Sequence, residues 1–176
     1  MDQVVTDVQI PTAVLKLILS AELERFDRAV ILDTDILIQP GAPSLFDLVP
    51  DTHLGIVRED RYLDRSNWLD RMFALYNVPR DHAGLTAPYF NSGVMVLSRR
   101  HYPLLSLPEA GCLHAYPLFE QTYLNARVRE LGVPLYELPK EFNYVADYDG
   151  QSPADWRYGW LIHLAGSWEG VRRVHA

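Results

Sequence analysis

The chain has 176 residues, 48% of them hydrophobic and 22% charged, and a net charge of −7. That is enough length for one domain with a real core, and an acidic balance that carries no footprint for nucleic acid. No run approaches the roughly 20 apolar residues a membrane span needs, and a single cysteine, Cys112, excludes an internal disulfide.

Pro11 to about Phe26 has the pattern of a helix: proline near its first position, apolar residues on several faces, charges in its last turns. It holds Lys16, one of only two lysines, the other being Lys140. Residues 29 to 38 form a strand carrying the triplet Asp33-Thr34-Asp35 between two apolar runs. In an extended backbone, residues two apart share a face, so both carboxylates can address one point. Two acids at the end of a buried strand need a cation, and a divalent metal is the simplest one. The competing reading is a pair of Asx caps opening a turn. A second copy of the spacing, Asp147-Tyr148-Asp149, stands among Gly, Gln, Ser and Pro and predicts a turn.

Gln39 to Pro43 is turn chemistry, with Ser44 placed to cap a short helix through Leu48. His53–Val57 predicts a strand, 58 to 66 a charged solvated loop, and Asn67–Tyr76 a helix burying Trp68, Met72 and Phe73 or Leu75. Gly93–Ser98 is a compact apolar strand preceded by Asn91 and Ser92, small polar groups suited to hydroxyls. A helix from Pro117 to Leu131, stopped by Gly132, carries Glu120 and Gln121 near its start. Pro134–Leu138 and Trp160–Leu164 are short strands, the second bearing His163, which alone reads more simply as a packed core histidine. Helices alternating with apolar strands imply one α/β domain over 1–176 with a largely parallel or mixed sheet.

In order, these segments resemble a family 8 glycosyltransferase of the GT-A type, the group of glycogenin and bacterial lipopolysaccharide galactosyltransferases. Ile31-Leu32-Asp33-Thr34-Asp35 is similar to the family's metal motif, Ser44–Leu48 to the segment after it, and Phe90-Asn91-Ser92-Gly93-Val94 to its FNSGV strand. Glu120-Gln121 with Leu124-Asn125 resembles its Asp-Gln…Leu-Asn motif, Phe142-Asn143-Tyr144 an aromatic-Asn element, and His163-Leu164-Ala165-Gly166 its His-x-x-Gly. The family's N-terminal βαβ portion, which holds the base and ribose, has no counterpart in the ten or so residues ahead of the first helix, so the expected domain is an N-terminally truncated GT-A-like fold.

The resemblance implies a retaining, metal-dependent transfer of sugar from a nucleotide diphosphate, a UDP-sugar, to a hydroxyl acceptor. Asp33, Asp35 and His163 would hold Mn²⁺ or Mg²⁺, with oxygen plus imidazole ligands favouring Mn²⁺. Lys16, Thr34, Asn91, Ser92 and Gly166 would contact the donor, and Glu120 with Gln121 would act at the sugar carbon. A cytoplasmic location, and a homo-oligomer or a completing partner chain, belong to the same expectation. Two alternatives stand beside it. One is a non-catalytic remnant or subunit that binds metal or glycan. The other is a haloacid-dehalogenase-type phosphohydrolase using Asp33 as nucleophile, which leaves Phe90–Val94 and His163–Gly166 without a role.

Overall fold

The computed structural model describes residues 12–67, 70, 74, 88–108, 118–145, 148 and 159–165. Its centre is a strand buried at every position, β4 (Phe90–Ser98). It lies between β1 (Arg28–Leu32) and β3 (Leu54–Arg58), antiparallel to both, while β5 (Leu135–Glu137) extends the sheet parallel to β3. A second sheet runs in the order β2 (Ile36–Ile38), β7 (Leu161–His163), β6 (Tyr144–Val145). The sheets are mixed, as expected, with three of the five described pairings antiparallel.

Strand alternation divides the core in two. Met95 and Leu97 face Phe119, Tyr123, Leu124 and Val128 of α3 (Phe119–Glu130), together with Leu17 and Tyr102. Val94 and Val96 face Leu45 and Val49 near α2 (Leu45–Leu48), with Phe142, Val145 and Leu161 from the second sheet's side. The first half of β4 breaks this pattern. Gly55 pairs Val96 but Val57 pairs Asn91, so the register against β3 slips by an odd number of residues. An odd slip exchanges the faces. Phe90 therefore packs with the Met95 cluster, and Asn91-Ser92-Gly93 occupies the irregular stretch where β1 also ends, at Leu32 opposite Val94.

Several boundaries differ from expectation. The first helix divides into a 3-10 turn, Thr12–Ile18, and a short α1, Ser20–Leu23. Apolar residues on all sides gave no 3.6 period to sustain one helix: Leu17 is buried while Leu15 and Ile18 are exposed. The segment 29–38 is two strands in different sheets, joined by a turn closed by Ile36 N–H donating to the Asp33 carbonyl at 3.3 Å. Ser44 sits at the N-cap of α2 without donating or accepting a side-chain cap bond. α3 ends as predicted: Gly132 has φ +61°, Val133 N donates to Val128 O, and Gly132 N to Arg129 O, a Schellman ending. Helical backbone is present at Ser66, Asn67, Asp70 and Ala74. Trp68, Met72, Phe73, Leu75, Cys112, Asp147, Asp149 and Gly166 lie outside the described residues.

Candidate metal centre and its adjoining carboxylate

The turn Asp33-Thr34-Asp35 is the seam between the two sheets. Asp33 N donates to Gly93 O at 2.9 Å, tying one acid to β4. Leu164 N donates to Asp35 O at 3.0 Å, and Ile36 pairs with His163, tying the other to β7. The carboxylates thus converge through a turn rather than through the common face of a continuous strand. Thr34, at its tip, is exposed.

His163 completes the group. Ligand atoms of Asp33, Asp35 and His163 all lie within 4.8 Å of one another, the one such cluster found among the described residues. Nε2 of His163 is 3.3 Å from Asp35 Oδ1 and 3.5 Å from Asp33 Oδ2. Its Nδ1 lies 2.9 Å from Asn143 Oδ1, an acceptor, so Nδ1 carries the proton and Nε2 turns its lone pair toward the carboxylates. Burial lowers the imidazole's pKa, against the pull of Asp35 and Asp33, which favours the neutral ring. Three electron-pair donors facing one another repel unless a cation lies between them, and this donor set fits a divalent metal. The His163 side chain is 5% exposed while those of Asp33 and Asp35 are 30% and 43% exposed, leaving one side open to a ligand.

Close approach depends on Gly93. A Cβ there would stand 2.6 Å from His163 Nδ1, nearer still to Cε1, and 2.8 Å from Asn91 Oδ1. The missing side chain at Gly93 thus makes room for the imidazole.

Beside the metal group lies a buried ion cluster. Lys16 Nζ is 2.6 Å from Asp33 Oδ1 and 3.5 Å from Glu120 Oε1, and donates to Ser92 O at 3.0 Å. Ser92 Oγ donates to Glu120 Oε2 at 2.9 Å. Burial pushes the Glu120 carboxyl up to about 7, with Lys16 and Ser92 pulling the other way and Asp33 adding to the rise. The helix presenting Glu120 starts from Leu118 at φ 61°, a left-handed conformation that costs a non-glycine residue about 1–3 kcal/mol.

Gln121 and Asn91 are both buried and engaged inward. Gln121 Oε1 accepts from Ser92 N at 3.2 Å, and its Nε2 donates to Glu59 Oε2 at 2.8 Å. Asn91 Oδ1 accepts from Gly93 N and from Asn143 Nδ2, each at 2.8 Å, and its Nδ2 donates to Glu59 Oε1 at 3.0 Å. Arg65 Nε donates to Glu59 Oε2 at 2.7 Å. The loop 58–66, expected to be solvated, thus contributes a carboxylate only 3% exposed. Glu59 is the residue that sequence reasoning missed, and a charge closing an apolar strand was the available signal. Asn125, noted only through its motif, caps the open end of β4: it accepts from Phe90 N and donates to Phe90 O, both at 2.9 Å.

The structure therefore brings together Lys16, Asp33, Asp35, Asn91, Ser92, Glu120, Gln121 and His163. Among the described residues no helix is long and apolar enough to cross a membrane. No family model and no curated sequence matches the chain. Solved structures do. The apo structure of the bifunctional glycosyltransferase WbbM is 17% identical, with a TM-score of 0.56 over 88% of this chain and 31% of that one. The galactosyltransferase LgtC, solved with donor and acceptor sugar analogues, is 18% identical, with a TM-score of 0.54 over 93% of this chain and 65% of that one. An active-site mutant of LgtC aligns similarly, at 17% identity and a TM-score of 0.57. The chain spans about a third of the first of these proteins and just under two thirds of the second. At such identities the likeness is one of architecture, and the chain has the mixed α/β fold of the GT-A glycosyltransferases.

Proposed function

We propose that this chain is a metal-dependent retaining glycosyltransferase that moves a sugar from a nucleotide diphosphate, a UDP-sugar, to a hydroxyl acceptor. The observation that carries the reading is the seam itself. Two carboxylates and a neutral imidazole converge on one open point, and a buried lysine and a carboxylate of raised pKa stand next to them. Asp33 Oδ2, Asp35 and His163 Nε2 would hold Mn²⁺, or Mg²⁺ in its place. Such an ion would supply Lewis-acid neutralisation of charge on the departing diphosphate.

The remaining roles belong to the protein. Lys16, bound to Asp33, would share in neutralising that charge. Ser92, Thr34 and Gly166 would line the donor, and Asn91 and Gln121 would set the sugar's position from the buried side. Glu120, with Gln121 beside it, would serve the reacting carbon, as a nucleophile or as the charge opposing an oxocarbenium-like centre. Burial keeps water from competing at that carboxylate.

Turnover of a panel of UDP-sugars, assayed with Mn²⁺ and with chelator, tests the proposal. Metal-dependent release of UDP that is lost in both Asp35→Asn and Glu120→Gln supports it. Nucleotide release that survives in both variants overturns it, and binding of metal without any release favours the non-catalytic alternative.

A further inference from the structure

Glu59 touches neither the three ligand atoms nor Glu120, yet a continuous line of hydrogen bonds joins it to the imidazole. Glu59 Oε1 accepts from Asn91 Nδ2 at 3.0 Å, Asn91 Oδ1 accepts from Asn143 Nδ2 at 2.8 Å, and Asn143 Oδ1 meets His163 Nδ1 at 2.9 Å. The direction of every bond in this line is determined. A carboxylate can only accept, so Asn91 must turn its NH₂ toward Glu59. A backbone N–H can only donate, so Gly93 N at 2.8 Å requires the other end of that amide to be oxygen. Asn143 must then give its NH₂ to Asn91 and keep its oxygen for the imidazole. His163 has one choice left: it donates from Nδ1.

We infer that Glu59 is a positioning residue whose acceptor-only character, relayed through Asn91 and Asn143, holds His163 as the Nδ1–H tautomer with Nε2 free for a metal. The assignment adds to the metal-binding part of the proposed function a residue three hydrogen bonds away from the imidazole that would hold the ion. Its other partners fit the same role. Arg65 and Gln121 both donate to the second oxygen, Oε2, which leaves Oε1 to the relay.

The substitution Glu59→Gln is nearly isosteric and reverses one polarity. The oxygen of the introduced amide satisfies Arg65 and Gln121, and its NH₂ then faces the NH₂ of Asn91. The clash is relieved when Asn91 turns its oxygen to that NH₂, giving up its bond from Gly93 N, and Asn143 turns with it, which brings NH₂ to His163 Nδ1 and moves the ring proton to Nε2. The double variant Glu59→Gln with Asn91→Asp restores the line. There the introduced amide donates, the introduced carboxylate accepts from it as well as from Gly93 and Asn143, and the total charge is that of the native protein.

The test reads the ring nitrogens directly, by long-range ¹H–¹⁵N correlation on the metal-free protein above the imidazole's titration range, alongside calorimetric titration with Mn²⁺ alone. The native chain shows a protonated Nδ1 at His163. Glu59→Gln shows a protonated Nε2 and binds Mn²⁺ about 10–100-fold more weakly, and the double variant recovers both. A native ring protonated at Nε2 overturns the inference, as does Glu59→Gln with the native tautomer and affinity. Should Glu59→Gln fail to fold, the native tautomer and the double variant decide: a folded double variant protonated at Nε2 refutes the relay. The tautomer is read without metal or nucleotide, so its outcome stands apart from whether the chain transfers sugar.

Discussion

Gly93→Ala is the smallest change that should damage the candidate metal centre without replacing a ligand. The backbone at Gly93 is not left-handed, so alanine meets no conformational barrier and the effect is steric. The new methyl would lie 2.6 Å from His163 Nδ1 and 2.8 Å from Asn91 Oδ1. Ordinary contact at such atoms needs a further ~1 Å. The imidazole cannot recoil freely, because Asn143 holds Nδ1 and the strand beneath it is paired on both sides, to Ile36 and to Val145. Overpacking of this kind costs about 1–3 kcal/mol, which for a chain of this size lowers the melting temperature by roughly 2–12 °C. A ring displaced by that distance no longer meets Asp33 and Asp35 at one point, and Mn²⁺ affinity should fall at least about tenfold. Thermal unfolding and Mn²⁺ calorimetry measure the two effects. Gly132→Ala is the control: it forces alanine into φ +61° with nothing within 4 Å, so it should cost about 1–2 kcal/mol of stability and leave Mn²⁺ affinity alone. Native Mn²⁺ affinity in a folded Gly93→Ala would refute the placement of His163 against this glycine.

Other predictions follow from the neighbouring groups. Glu120, raised to about 7 by burial, binds its proton more tightly folded than unfolded, so it draws stability down as pH climbs from about 4.5 to 7. Denaturant unfolding of Glu120→Gln should therefore gain on the native chain between pH 5 and pH 8, and a pH-independent difference would count against a carboxyl whose burial outweighs its partners. Lys16→Ala removes the counter-ion of Asp33. Calorimetry should show Mn²⁺ alone binding at least as tightly, while UDP in the presence of Mn²⁺ binds more weakly. Asn125→Leu leaves Phe90 N and O buried without partners and should cost about 2–4 kcal/mol in denaturant unfolding, with Mn²⁺ affinity unchanged.

The parts of the site legible in the sequence are those whose signal is local. Asp33 and Asp35 follow an apolar run, Asn91 to Gly93 precede one, and His163 ends one, so each stands at a strand terminus that its own neighbours define. Strand order and direction carried no such mark. The turn at Thr34 divides one apolar segment between two sheets because β7 and β4 each claim half of it, a competition that no window of residues 29–38 contains. Glu59 was hidden for the same reason. Within 58–66 it is one charge among many, and what distinguishes it from Arg61, which pairs with Glu137 at the surface, are partners on β4 and α3. The slip between Gly55 and Val57 that turns Asn91 inward is a property of two strands together. Lys16 was recognisable by rarity, and its 3-10 turn was not, since an all-round apolar segment has no face to favour one helix over the other.

The central claim is that the seam binds a metal and, through it, a nucleotide diphosphate. Thermal unfolding of the native chain with UDP, with Mn²⁺, and with both measures it most directly. A ligand at 100 times its Kd adds about 2.7 kcal/mol, a rise of roughly 5–11 °C for a protein of this size. The account predicts that rise with UDP and Mn²⁺ together, a smaller one with Mn²⁺ alone, and neither in Asp35→Asn. An unmoved transition in all three conditions, or an equal rise in Asp35→Asn, would contradict it.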